Sequence, residues 1–282
     1  MRRTSAEMLA LLEAAKRRGT KVVWTAHNLG AHDRKEYPDL EATYWPGVAK
    51  HLSALISLSR SGIVALREKY PVLTTVPSFV SRHGSYRGEY PRSLSRENAR
   101  SILGLSDDAR VIAFVGQVRP YKNVPALLRA FRQIDDPGAA VLIAGMLKLG
   151  DKRAAFDELI AADDRVKLFG SFVHPVEMQL YLEAADLVVL PYRETLNSGS
   201  AILGLSFDKP VLVPRSGPHI ELANEVGHDW LMTYAGELTP EILSDALGRS
   251  VGKRGEIAPL ESLEWPLIAR QTRDIYRSLV ER

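Results

Sequence analysis

Short apolar runs alternate with amphipathic stretches along this chain from end to end. The runs predict strands at Lys21–Thr25, Ala54–Leu58, Thr74–Val76, Val111–Val115, Ala140–Ala144, Val166–Phe169, Leu187–Leu190, Val211–Val213 and Leu231–Tyr234. Between them, a period near 3.6 predicts helices over Ser5–Arg17, Ser61–Lys69, Ser95–Leu103, Val124–Gln133, Lys152–Ile160, Pro175–Glu183, Ser200–Ser206, Ile220–Val226 and Pro240–Arg249, with a last one from Trp265 to Arg282. Strands that alternate with helices imply an α/β fold, a parallel sheet wrapped on both faces. Leu187-Val188-Val189-Leu190 carries no polar alternation, as burial on both faces requires.

The periodicity breaks at Ser81-Arg82-His83-Gly84-Ser85-Tyr86-Arg87-Gly88-Glu89-Tyr90-Pro91, where glycines, a proline and polar residues mark a boundary. Two Rossmann-like lobes are therefore expected, residues 1–84 and 85–264, with a helix over 265–282 in position to cross back to the first lobe. Only about three strands precede the boundary, fewer than a complete lobe of this kind holds. The N-terminal lobe is expected to be incomplete, its opening strands missing or supplied otherwise.

Composition narrows the class. With 282 residues, 45% hydrophobic and 25% charged, the chain is long enough for a sizeable core and free of disorder-like bias. It holds no cysteine, which excludes a disulfide scaffold, a thiolate metal site and a cysteine nucleophile, and fits a reducing compartment. No run approaches eighteen apolar residues, and Glu7 and Glu13 interrupt what would otherwise resemble a signal-peptide core. The expected location is cytoplasmic. A net charge of +3, spread among carboxylates, argues against dedicated nucleic-acid binding. The cluster Lys16-Arg17-Arg18 suits either a solvated helix end or peripheral contact with anionic lipid at the inner face of the plasma membrane.

Two loops carry the chemistry. After the strand ending at Val115 come Gly116, Arg119 and Lys122 and then the helix from Val124, so that two cations and a glycine fall at the carboxyl edge of a sheet, where open α/β folds bind ligands. After the strand ending at Leu190 come Glu194, Asn197, Ser198, Gly199 and Ser200, a helix start that offers hydroxyls, an amide and unpaired N–H groups to an anion or a sugar. Alone, the first loop fits a solvated turn and the second a well-capped helix. Both follow strands of one sheet, so both open at the same edge. A nicotinamide-dependent dehydrogenase is discounted, because no Gly-x-Gly-x-x-Gly follows any strand.

Gly116-Gln117-Val118-Arg119-Pro120-Tyr121-Lys122-Asn123-Val124 resembles the donor-diphosphate loop of GT-B glycosyltransferases. Leu190-Pro191-Tyr192, Asn197-Ser198-Gly199-Ser200-Ala201 and Ser206-Phe207-Asp208-Lys209-Pro210-Val211 resemble the stretch that follows it. The similarity runs over nearly the whole chain. It is closest to bacterial enzymes that assemble exopolysaccharide repeat units on a lipid carrier, including xanthan-type β-1,4-mannosyltransferases, and more distant to glycosyltransferase family 4. Trp24-Thr25-Ala26-His27-Asn28-Leu29 with His32, and the segment around His83, Gly84 and Tyr86, resemble the first group. The resemblance implies a GT-B-like fold with two lobes facing a cleft, a nucleotide-diphosphate sugar donor (GDP-mannose or a UDP-hexose) and a lipid-linked or polysaccharide acceptor. It places His27 at the sugar and Glu221 at the nucleotide ribose, a structural histidine and a helix-start acid being the alternatives; His32, His83 and Tyr86 are set toward the acceptor or cleft, the last two by their place at the lobe boundary, where a simple turn is the alternative.

Departures from the pattern bear on mechanism. Family 4 carries two glutamates where this chain has Thr195 and Leu203, with Glu194 one residue off the first position. Retention is put in doubt by that mismatch, and an inverting transferase is the more plausible expectation, its base open among His27, His32, Asp33 and Glu36. No Asp-x-Asp triplet occurs, and Asp107-Asp108, Asp135-Asp136 and Asp163-Asp164 read as exposed turn acids. No metal and no cofactor are expected. A non-catalytic sugar-nucleotide-binding or partner-binding remnant is the competing reading.

Overall fold

The computed structural model describes residues 2–29, 38–193, 195–197 and 199–281. Along the chain come α1 (Arg2–Arg17), β1 (Val23–Ala26), α2 (Pro38–Ala49), β2 (Ala54–Ser57), α3 (Arg60–Lys69), β3 (Ser78–Val80), α4 (Arg96–Ile102), β4 (Arg110–Val115) and α5 (Val124–Arg132). They are followed by β5 (Ala139–Ala144), α6 (Arg153–Ala161), β6 (Val166–Phe169), α7 (Met178–Ala184), β7 (Leu187–Val189), α8 (Gly199–Ser206), β8 (Val211–Pro214), α9 (Gly217–Val226), β9 (Leu231–Tyr234), α10 (Pro240–Val251) and α11 (Trp265–Val280). Two compact units result, Met1–Gly84 with Leu263–Arg282, and Ser85–Ser262. Among the described residues no helix is long and apolar enough to cross a membrane.

The first unit holds a parallel sheet in the order β1-β2-β3. Ala26, Leu55, Leu66, Tyr70 and Leu73 form its core, with Trp24 and Trp45 packed against it. Trp45 lies between Trp24 and Tyr70, at centroid distances of 4.6 and 4.3 Å. The Tyr70 hydroxyl donates to the Leu29 carbonyl (3.2 Å) and the Glu41 carboxylate (3.3 Å). In α11, Ile268 and Leu279 are buried, and Thr272 meets Ser81 hydroxyl to hydroxyl at 2.7 Å.

The second unit is a six-stranded parallel sheet in the order β6-β5-β4-β7-β8-β9. Its central strands are apolar on both faces because helices cover both: β5 is buried at every position and β4 at all but Arg110. Helix α5 buries Leu127, Leu128 and Phe131, a spacing of one, three and four that gives it one apolar face. Each such side chain contributes about 1.5–3 kcal/mol through burial.

The amino ends of β4 and β7 are tied together by charge. The Asp186 carboxylate accepts from the Val111 N–H (2.8 Å), from Arg100 (2.9 Å) and from Arg254 (2.7 and 2.9 Å). Burial alone would raise this carboxyl, but the Arg254 bond, the Val111 N–H and the Arg100 charge outweigh it and hold it below the usual range. Arg100 is fully buried and also donates to the carbonyls of Ala184, Asp107 and Ala109, so the pair leaves no obvious donor unmet.

The structure corrects three expectations. Thr74–Val76 is not a strand: Pro71–Thr75 forms a 3-10 turn, started by a proline at its first positions, and the strand lies beyond it at Ser78–Val80. Helix α2 was hidden because Pro46 and Gly47 interrupt its periodicity. The paired acids are not uniformly exposed: Asp136 is buried and ion-paired with Arg110, and Asp163 pairs with Arg165 at 2.7 Å. Among the described residues no group of three or more His, Asp or Glu is disposed to hold a metal ion.

Candidate active site

At the carboxyl edge of the larger sheet, β4 and β5 end side by side in glycines. Gly116 has φ of +127° and Gly145 of +148°, conformations that side-chain-bearing residues rarely adopt. A Cβ on Gly145 would lie 2.0 Å from the Gly116 carbonyl oxygen, so only glycine lets the two chains approach this closely. The following loops then run together, Val118 donating to the Met146 carbonyl (2.9 Å) and Lys148 to the Val118 carbonyl (2.8 Å).

Beyond Gly116 the chain makes a 3-10 turn over Pro120–Lys122, reverses at Asn123 in the left-handed region (φ 52°), and enters α5. That turn folds Lys122 back, and its Nζ lies 3.2 Å from where a Gly116 Cβ would sit. The ammonium stands over the rings of Phe114 (5.8 Å) and Tyr192 (5.1 Å). No carboxylate among the described residues pairs with it. Burial, and then the nearby charge of Arg119, lower its pKa to about 8. Arg119 is steadied by Gln117, whose side-chain oxygen accepts from its Nε at 3.0 Å.

The loop after β7 closes on this turn, because β7 is the neighbour of β4. The Arg193 N–H donates to the Tyr121 carbonyl at 2.9 Å, and the rings of Tyr121 and Tyr192 meet edge to face at 6.1 Å. The Tyr192 hydroxyl, raised above its usual pKa by burial, donates to Ser200 Oγ at 3.2 Å. Gly199 and Ser200 open α8, whose first N–H groups have no acceptor within the helix. Cation, helix start and half-buried loop thus meet at one sheet edge, which suits a phosphate group.

One strand further along, β8 leads into α9. His219 is buried, its Nδ1 2.7 Å from the Pro214 carbonyl, and burial lowers its pKa; it orders the turn in neutral form. Ser216 has a buried hydroxyl with no hydrogen-bond partner among the described residues, and Glu221 is half-buried in α9.

Of the residues singled out in the sequence, Gly116, Arg119, Lys122, Asn197, Gly199 and Ser200 share the two apposed loops, and Glu221 follows the next strand. His32, Glu194 and Ser198 lie outside the described residues. His27 is exposed just past β1 in the smaller unit. In the same unit His83 Nδ1 lies 2.7 Å from the Gly84 carbonyl, and its ring is 5.9 Å from that of Trp265. Tyr86 belongs to the larger unit, where its N–H donates to Ser206 Oγ (2.9 Å) at the opposite end of α8 from Ser200. Gly145 and the Tyr192–Ser200 bond were not singled out. Gly145 had a readable signal, a second apolar strand ending in glycine.

Residues 109–250 match the family model described as Glycosyl transferases group 1. GDP-mannose:glycolipid 4-beta-D-mannosyltransferase of Xanthomonas campestris pv. campestris is 31% identical over 255 residues, covering 89% of this chain and 67% of that protein. D-inositol 3-phosphate glycosyltransferase of Mycolicibacterium smegmatis is 36% identical over 107 residues, 36% of this chain and 24% of that protein. Among solved structures, HepE of Anabaena in complex with UDP and glucose superposes with a TM-score of 0.74 at 16% identity, covering 97% of this chain and 76% of that one. Sucrose-phosphate synthase from Thermosynechococcus elongatus gives 0.67 at 20% identity, with coverages of 94% and 70%. These neighbours carry the GT-B fold, and the chain belongs to the group 1 glycosyl transferases.

Proposed function

We propose that this glycosyltransferase moves a hexose from a nucleotide-diphosphate sugar, GDP-mannose or a UDP-hexose, to a lipid-linked or polysaccharide acceptor, with inversion and without a metal ion. The observation that carries the reading is Lys122 folded over Gly116 and over the rings of Phe114 and Tyr192, beside the start of α8. A half-desolvated cation with no carboxylate partner among the described residues is costly unless an anion completes it. The similarity to the Xanthomonas enzyme favours a mannosyl donor and a glycolipid acceptor.

In this reading the acceptor hydroxyl oxygen attacks the anomeric carbon, the bond from that carbon to the β-phosphate oxygen breaks, and the nucleoside diphosphate leaves with the bonding pair. Lys122, Arg119 and the N–H groups of Gly199 and Ser200 offset the charge that grows on the leaving phosphate. Asn197 and Ser198 are further donor-phosphate residues in this reading, and Glu221 holds the ribose. His27 takes the acceptor proton or contacts the sugar, Glu194 is a further catalytic candidate, and His32, His83 and Tyr86 serve the acceptor side. Contact with the membrane surface follows from a lipid-linked acceptor.

A transfer assay tests this reading. The chain, incubated with labelled GDP-mannose or UDP-glucose and a lipid-linked saccharide extract in the presence of a chelator, is expected to yield a labelled glycolipid of inverted anomeric configuration. Label that stays in the donor pool, with both donors and with excess magnesium added, would sink it.

A further inference from the structure

Helix α11 leaves a large apolar stripe uncovered in the unit that carries it. Ile268 and Leu279 are buried, yet Trp265, Tyr276 and Val280 are 46%, 46% and 73% exposed. Their spacing of eleven and four residues puts them on one flank, over roughly 22 Å of helix. A groove of about 670 Å³ follows this flank, lined by the same three residues with Ala269, Arg273 and Arg277. A second groove, of about 420 Å³, shares Tyr276 and Val280 and adds Gly19, Lys21 and Val23, so the stripe continues to the turn between α1 and β1.

That turn is cationic. Arg17, Arg18 and Lys21 are exposed there, and Arg270, Arg273 and Arg277 lie along α11. Opposing them are Glu13, 3.7 Å from Arg17, Asp274, 3.6 Å from Arg273, and Glu281. The surplus is positive. Exposed aromatic and aliphatic side chains ringed by arginine and lysine are the composition that settles at a lipid interface, rings at headgroup depth and cations against phosphate.

We propose that this face, formed by α11 and the turn after α1, docks on an anionic bilayer surface. It rests on the reading that the acceptor is lipid-linked, since docking would hold the enzyme where that acceptor is presented. Each cation near such a surface strengthens binding about fivefold, and salt weakens it by screening.

The test is co-sedimentation of the full chain with vesicles of phosphatidylcholine alone, or of phosphatidylcholine with an equal part of phosphatidylglycerol. Wild-type protein is expected to sediment with the mixed vesicles, less so as salt is raised, and to stay in solution with phosphatidylcholine alone. R17E/R18E is expected to bind at least about twentyfold more weakly, and Y276S/V280S about tenfold more weakly, both with unchanged melting temperature and nucleotide affinity. No binding of wild-type protein to mixed vesicles, or equal binding by both variants, would overturn the proposal. So would vesicle-independent self-association abolished by Y276S/V280S, which would assign the face to a polypeptide. Nucleotide titration separates the two readings: vesicle binding without nucleotide binding overturns the donor site and leaves the docking face, and the converse overturns only the face.

Discussion

Lys122 is expected to tie nucleotide binding to protons. Its ammonium has a pKa of about 8 in the free protein, lowered by burial and by Arg119. A bound diphosphate supplies the missing negative charge and returns the pKa to at least the ordinary lysine value, so the bound state holds the proton more tightly. Below pH 8 the ammonium is already present and affinity is full; above it, each binding event must take up a proton. With a free value of about 8 and a bound value near about 10.4, the dissociation constant is expected to rise about tenfold between pH 7 and pH 9. At pH 8, binding takes up about half a proton, readable by calorimetry in buffers of different ionisation enthalpy. The Lys122→Met variant removes one charged hydrogen bond, worth about 1.5–3 kcal/mol, and weakens binding about 10- to 150-fold at pH 7. Whatever slope the nucleotide base itself contributes near pH 9 persists in that variant, and the difference between the two profiles belongs to Lys122. A dissociation constant flat across this range, or a slope that survives undiminished in Lys122→Met, would rule out proton uptake by Lys122 on binding.

The other predictions concern scaffold and chemistry. Gly145→Ala forces a Cβ against the Gly116 carbonyl at φ of +148°, and is expected to cost about 3 kcal/mol or more in chemical denaturation and to abolish nucleotide binding. Asp186→Ala leaves Arg100 buried without its carboxylate and is expected to destabilise by about 3–5 kcal/mol, while nucleotide affinity of the folded fraction stays within about twofold. Because the Asp186 carboxyl is held low in the folded state, its stabilisation is full above the unfolded carboxylate value and is lost as pH falls through the folded one; an acid-unfolding midpoint unchanged in Asp186→Asn would contradict this. His27→Ala is expected to lower kcat by about 10²- to 10⁴-fold with donor affinity unchanged, and a loss of donor affinity instead would reassign its role.

Much of the α/β architecture is legible because the strands of the larger sheet are buried on both faces. Val111–Val115 and Ala139–Ala144 stand out as unbroken apolar runs that each end in glycine. The smaller sheet is harder to read. Ser78–Val80 is three half-buried residues, too short and too mixed to register against the apolar Pro71–Thr75 turn before it. At the site, residue types and their order after each strand were visible, but apposition was not. That Lys122 lies beside Tyr192, or Gly145 against Gly116, depends on β4 having β5 and β7 as neighbours, and strand order leaves no local mark on a sequence. The desolvation of Lys122 likewise comes from side chains on two different loops.

If the two apposed loops after β4 and β7 hold a diphosphate, a nucleoside diphosphate binds there with measurable heat. Titration of the purified chain with GDP and with UDP at pH 7, beside the R119A/K122A variant, tests it most directly. Saturable heat with at least one nucleotide, absent from a variant that melts at the wild-type temperature, is the expected result. No heat with either nucleotide, or the same affinity in the variant, would overturn the donor site on these loops.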